Sequence, residues 1–326
     1  MNKMNSEYNE IVDKLLDMRP DPIPKFVLLK EFKGYTPDTV KYQNAYKKVC
    51  EHPFIKKIAE SQNDKGFWPP FHGDTEGMIR KLLWYGLDNS HISIKSVTEY
   101  TVKLLRGEEP HDRFEKQDNI RWWPEMFMPL CVSATLSMLD NRNENLAPHR
   151  KRWADFTEMA YAPAKTFDHE AYAKAQCEHF GFRTMRIIPP FHLYCLLLLA
   201  PLDGETYLSA AADQALVDYG MKTADNLYYV YNKNLGELAP LGAQNRDSRD
   251  FCHWIRALSL ISQFKGWKKY EKKYADWIMG QRNQNGLWEF PKKYNWFTLS
   301  NSWRGNNGAI DSTIFVLRML MKKRAF

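Results

Sequence analysis

Two short phrases, "QNDKGFW" at residues 62–68 and "QRNQNGLW" at 281–288, say nearly the same thing 219 residues apart. Each follows an amphipathic segment, "PFIKKIAES" in the first case and "KKYEKKYADWIMGQ" in the second, and each is followed after a loop by another helical segment. The unit is therefore helix, polar turn, Trp, loop, helix. Gly66 and Gly286 permit a positive backbone φ in the turn. Gln62 and Gln281 can bond loose polar groups at helix ends. Trp68 and Trp288 plug the space between neighbouring hairpins. A single hairpin cannot bury its apolar face, so such units need neighbours on both sides. At roughly 40 to 50 residues per two-helix repeat, the offset corresponds to about five units.

Apolar spacing predicts helices throughout. The segments are 36–52, 53–61, 74–87, 91–107, 124–139 and 148–162, then 167–180, 189–200, 206–231, 248–264, 268–281 and 307–323. Thr36 followed by Pro37 reads as the start of the first. No segment alternates convincingly as a strand, and no linker or low-complexity stretch divides the chain. The expected fold is all-α: twelve helices in six hairpins, closed as an (α/α)6 toroid around a central cavity. One domain spans 1–326, with 1–35 as an N-terminal extension packed on the ring.

Composition narrows the partners. Aromatic residues make up 14% of the chain, with 11 Trp, and those rings must pack in a core or a cavity wall. The net charge of +7 is mild and spread along the chain, so no basic stripe suggests nucleic-acid binding. A loose attraction to anionic surfaces, including peripheral membrane contact, stays open. Five cysteines without a CxxC pair, and an N-terminus without an apolar leader core, read as a reduced, cytoplasmic protein. The longest apolar run, "CLLLLAPL" at 195–202, is far shorter than a membrane span. Oligomeric state is not legible.

The two turn phrases resemble the QW repeat of the triterpene cyclases and of the wider prenyltransferase-like superfamily. "DSTIFVLRML" at 311–320 resembles the inner-helix segment that follows such a repeat. The resemblance is good at both ends and degenerate between them. It implies the (α/α)6 toroid and a central cavity for an apolar, amphipathic or isoprenoid-like small molecule. At this length there is room for one toroid only, whereas triterpene cyclases have two. The fold also serves many unrelated roles.

Acid-initiated cyclisation needs a buried, protonated Asp. The D-x-D-D motif of the resembled cyclases is absent. Asp247 and Asp250, in "NRDSRDFCH", and Asp311 are the remaining candidates for the catalytic acid. Rings that could steady a cation or line a cavity include Trp122, Trp123, Trp254 and Tyr194; core packing is the ordinary role for each. Resemblance to the protein prenyltransferases implies zinc on Asp250 and Cys252. Ile314 stands where their third ligand, a His, belongs, so no cofactor is expected and zinc is disfavoured. A glycan-active hydrolase or lyase is the alternative. It would use carboxylates at inner-helix starts, among them Asp74 and Glu76 beside His72 in "FHGDTEG", unless Asp74 or Thr75 only caps the helix. Arg183, with Arg121, Arg186, Arg246 and Arg249, could form a positive rim for a phosphate or carboxylate, or pair with helix ends. A non-catalytic ligand- or protein-binding toroid is the third reading.

Overall fold

The computed structural model describes residues 2–110, 122–161, 167–181, 187–201, 205–223, 234–236, 248–290 and 298–322. Among them are fourteen α-helices and no strand. All twelve expected helical segments contain a helix. The two additional helices, α1 (Asn2–Asp17) and α2 (Pro22–Val27), lie in the extension. Tyr8, Ile11, Val12 and Leu15 recur at helical spacing, and all four are buried.

The others are α3 (Val40–Cys50), α4 (Pro53–Glu60), α5 (Glu76–Trp84), α6 (Ile92–Leu105), α7 (Met128–Leu139) and α8 (Ala147–Tyr161). They continue with α9 (His169–Phe180), α10 (Leu193–Leu199), α11 (Ala210–Lys222), α12 (Ser248–Ile261), α13 (Lys268–Met279) and α14 (Asn307–Leu320). The start of α3 differs from expectation. Thr39, not Thr36, is its N-cap, with Oγ1 accepting from Tyr42 N–H. Thr36 hydrogen-bonds Asp38 in the turn before it. The long segment expected over 206–231 is a helix only at Ala210–Lys222 among the described residues.

Burial separates two kinds of helix. In α7 eleven of twelve residues are buried, and in α10 all seven are. In α14 every residue from Gly308 to Met319 is buried. By contrast α3, α6, α8, α11 and α13 bury one face and expose the other. The enclosed helices pack on one another: α7 meets α10, and α10 meets α12. α14 returns to α2 near the start of the chain.

The repeated turns share their Asn, Gly and Trp bonding pattern. Asn63 Oδ1 accepts from Lys65 and Phe67 N–H, both at 3.1 Å. Asn283 Oδ1 accepts from Asn285 and Leu287 N–H at 2.9 and 3.2 Å. Gly66 and Gly286 follow with φ of +85° and +71°. The indole of Trp68 donates to Ile58 O (2.9 Å), at the end of α4, and that of Trp288 to Ile278 O (2.6 Å), at the end of α13. Each Trp backbone is latched to a threonine of the following helix or its N-cap. Trp68 N–H donates to Thr75 Oγ1 (3.0 Å) and Trp288 N–H to Thr313 Oγ1 (3.1 Å). Gln62 donates to Gly66 O (2.6 Å) and Ser93 O (2.9 Å), tying the first turn to α6.

Candidate functional site

The helices α5, α7 and α10 begin close together, and their starts bring polar side chains to one point. Ahead of α5 the chain leaves helical geometry at His72 and Gly73. Gly73 has φ +100° and ψ −70°, a conformation that suits glycine. This break turns His72 back towards Glu76, four residues on. His72 Nδ1 lies 2.8 Å from Glu76 Oε2. The Gly73 N–H donates to the same oxygen at 3.0 Å. Tyr194, at the start of α10, donates its hydroxyl to that oxygen at 3.0 Å, and the hydroxyl is 3.0 Å from His72 Nδ1. Cys131 Sγ, in the first turn of α7, lies 3.8 Å from His72 Nδ1. Arg80, one turn beyond Glu76, faces the other carboxylate oxygen at 3.6 Å.

Glu76 is 1% exposed. Burial alone would raise its pKa. The His72 hydrogen bond, the Arg80 and His72 charges and the Gly73 amide outweigh that and hold it below the ordinary Glu value. The carboxylate is therefore ionised, with three donors converging on Oε2. Burial pushes the Tyr194 hydroxyl and the Cys131 thiol well up, so both keep their protons in the metal-free cluster. His192, the N-cap of α10, is driven down to about 3 by burial and stays neutral. Arg256 of α12 is buried among these charges, and burial brings it down to about 9.

Aromatic rings wall the cluster. Trp123 and Phe127 stack with centroids 4.4 Å apart, and Trp122 stacks on Phe127 at 5.2 Å. Phe127 meets the His72 ring edge-on at 5.2 Å and Tyr194 at 5.7 Å. The His72 side chain remains 20% exposed, so it is the member of the His72–Glu76 pair open to an incoming ligand.

Of the residues expected from sequence, the structure thus gathers His72, Tyr194, Trp122 and Trp123, together with Glu76. It places Asp311 in a different role. Asp311 Oδ2 accepts from Leu299 and Ser300 N–H at 2.8 and 3.0 Å, and Oδ1 from the Ser300 hydroxyl at 2.7 Å. Both oxygens anchor the loop before α14. Trp254 donates to Leu235 O (3.2 Å) and packs edge-on to Trp277 of α13, which is a core role. Asp74 is exposed, and Thr75 bonds Trp68 rather than capping α5. Asp247, Arg121, Arg183, Arg186 and Arg246 lie outside the described residues, as do the side chains of Arg249, Asp250 and Cys252.

Sequence reasoning missed Arg80, Cys131 and Arg256. Arg80 had a signal: His72, Glu76 and Arg80 are spaced by four, which suits charge pairing along a helix. Cys131 and Arg256 had none, because each sits inside an apolar helical pattern. The group able to hold a metal among the described residues is His72, Glu76 and Cys131, with ligand atoms within 4.8 Å of one another.

Two described cavities lie elsewhere. One, of about 590 Å³, is lined by Asn141, Arg142, Arg150, Lys151 and Tyr207. The other, of about 360 Å³, is lined by Leu16, Leu29, Lys25, Lys41 and Lys48. No helix among the described residues is long and apolar enough to cross a membrane. No protein-family model, curated protein or solved structure matches the chain significantly.

Proposed function

We propose that this chain is a six-hairpin helical ring of the prenyltransferase-like and terpene-cyclase-like kind, and that it is an acid–base enzyme. Its reaction centre is His72, Glu76 and Tyr194. The ring is supported by the alternation of enclosed and half-exposed helices and by the return of α14 to α2. One observation carries the enzymatic reading: a buried, ionised carboxylate receives three donors on one oxygen and fixes an imidazole that remains open to a ligand.

A carboxylate on Nδ1 selects the histidine tautomer and orientation and steadies the imidazolium that forms when the other nitrogen takes a proton. Tyr194, kept protonated by burial, is the adjacent proton donor. The stacked faces of Trp122, Trp123 and Phe127 suit an apolar or amphipathic substrate, in keeping with the isoprenoid-like ligand of the resembled family. Acid-initiated cyclisation is less favoured at this cluster. It needs a protonated carboxyl, and Glu76 is held ionised. The glycan-hydrolase reading needs two facing carboxylates, and among the described residues Glu76 is the only one in this group.

Wild-type protein should be incubated with a panel of prenyl diphosphates, acyl esters and oligosaccharides, and products followed by mass spectrometry. The expected result is turnover of an amphipathic substrate that falls by about 10²- to 10⁴-fold in His72→Ala. Full turnover in that variant, with the fold intact by circular dichroism, would remove His72 from the reaction.

A further inference from the structure

Four atoms from three helices converge on one point: His72 Nδ1, Glu76 Oε2, Cys131 Sγ and Tyr194 Oη. The separations are 2.8 Å from Nδ1 to Oε2, 3.0 Å from Nδ1 to Oη, 3.0 Å from Oη to Oε2 and 3.8 Å from Nδ1 to Sγ. A tetrahedral zinc ion with bonds of about 2.0–2.3 Å holds its ligand atoms about 3.3–3.6 Å apart. These four spacings bracket that range, and the ligand atoms of His72, Glu76 and Cys131 all lie within 4.8 Å of one another.

We propose that His72, Glu76 and Cys131 form a zinc-type divalent-cation site, with the Tyr194 hydroxyl at its fourth vertex. The inference rests on this cluster being the functional centre; in the cation-bound form Nδ1 is a ligand and Nε2 carries the proton, so that form is distinct from the metal-free one in which His72 acts as a base. The position differs from the Asp250–Cys252 pattern.

Three observations support it. The donor set is one imidazole, one carboxylate and one thiol, which suits a borderline metal better than magnesium or calcium. Glu76 Oε1 is buried, hydrogen-bonds no described residue and stands 3.6 Å from Arg80, so the guanidinium would steady the carboxylate from outside the coordination shell. The site is walled by Phe127 and Trp123, and such a shell limits solvent access. Binding balances simply. Cys131 releases its thiol proton to solvent and becomes the thiolate ligand. His72, which donates from Nδ1 in the metal-free cluster, gives up that proton and binds through the freed Nδ1 lone pair as the neutral imidazole protonated on Nε2. Cys131 and Glu76 together neutralise a divalent charge.

The test is titration of chelator-stripped, full-length wild-type protein with cobalt(II) and zinc(II). Expected are one cobalt per chain, a thiolate-to-cobalt charge-transfer band that zinc abolishes, and loss of that band in Cys131→Ser but not Cys195→Ser. Zinc affinity, measured against a chromophoric chelator, should fall by at least about 10-fold in His72→Ala. No band in folded wild-type protein overturns the proposal, and so does a band untouched by Cys131→Ser. A metal-free wild-type protein whose turnover still depends on His72 removes the cation and leaves the reaction centre. Stoichiometric zinc with turnover indifferent to His72 does the reverse.

Discussion

Asp311 and Glu76 show how buried carboxyl groups take different roles at two places in this molecule. Burial pushes its pKa up to about 6, against the pull of the Ser300 and Leu299 donors. A carboxyl whose folded value lies above its unfolded value contributes stability that is complete below the unfolded pKa and is lost as pH rises through the folded one. The window is thus about pH 4 to 6. Between pH 5 and pH 8 wild-type stability should decline relative to Asp311→Asn by about 1 kcal/mol, read from urea unfolding of both proteins at each pH. A gap that is constant over this range would show that Asp311 does not titrate there. Glu76 is buried as deeply, yet its pKa falls, because His72, Arg80 and Gly73 surround it. Sequence supplied both acids as candidates but not this difference, which depends on donors from other elements. His72, Tyr194, Trp122 and Trp123 were legible because each stands at or just before the start of an apolar helix. Cys131 was not, since an apolar pattern hides a thiol as readily as it hides a leucine.

At the scale of elements, the repeated turn was the most legible feature, and in both copies it lies between two helices, α4 and α5 in the first and α13 and α14 in the second. Its Gln-Gly-Trp frame understated the local chemistry. The pivot is the Asn, at 63 and 283, whose side chain bonds two backbone N–H groups in each copy. The glycines are equivalent in conformation but not in surroundings. A Cβ on Gly66 would stand 2.9 Å from Ser96 Cβ and 3.1 Å from Ser96 O, whereas one on Gly286 would meet nothing within 4 Å. Gly286→Ala should therefore cost only the left-handed backbone penalty of about 1 kcal/mol. Gly66→Ala should cost about 2 kcal/mol or more, because α6 must also yield. Chemical denaturation of the two variants checks the order; equal losses would mean that the turn does not press on α6. For 1–35 the sequence reading is an extension packed on the ring, with no helix assigned; the helical period of Tyr8, Ile11, Val12 and Leu15 was nevertheless there to mark α1.

Across the whole molecule, the early and late elements hold each other. Arg318 of α14, 1% exposed, makes a two-pronged bond to Glu31 at 2.8 and 2.5 Å and lies 4.2 Å over the Trp84 ring. Arg282 reaches Glu7 at 2.5 Å, and Lys14 reaches the Asn285 carbonyl at 2.6 Å. Removing one partner of a buried pair strands the other charge. Glu31→Gln should destabilise by about 3 kcal/mol, while Arg318→Met, which removes the buried charge itself, should cost clearly less. Urea midpoints of the two variants test this, and the opposite order would mean that the contact to Trp84 outweighs the ion pair. Such long-range pairings, 287 residues apart for Glu31 and Arg318, leave no trace in local periodicity.

The central claim is that the starts of α5, α7 and α10 build one functional centre. The most direct measurement is an experimental electron-density map of the wild-type protein grown with zinc and with the substrate found in the turnover panel, including anomalous data at the zinc edge. The account predicts His72 Nδ1, Glu76 Oε2 and Tyr194 Oη within about 3.5 Å of one another, with a bound species in contact with them. A closed cluster with the ligand and the metal both seated elsewhere would contradict it.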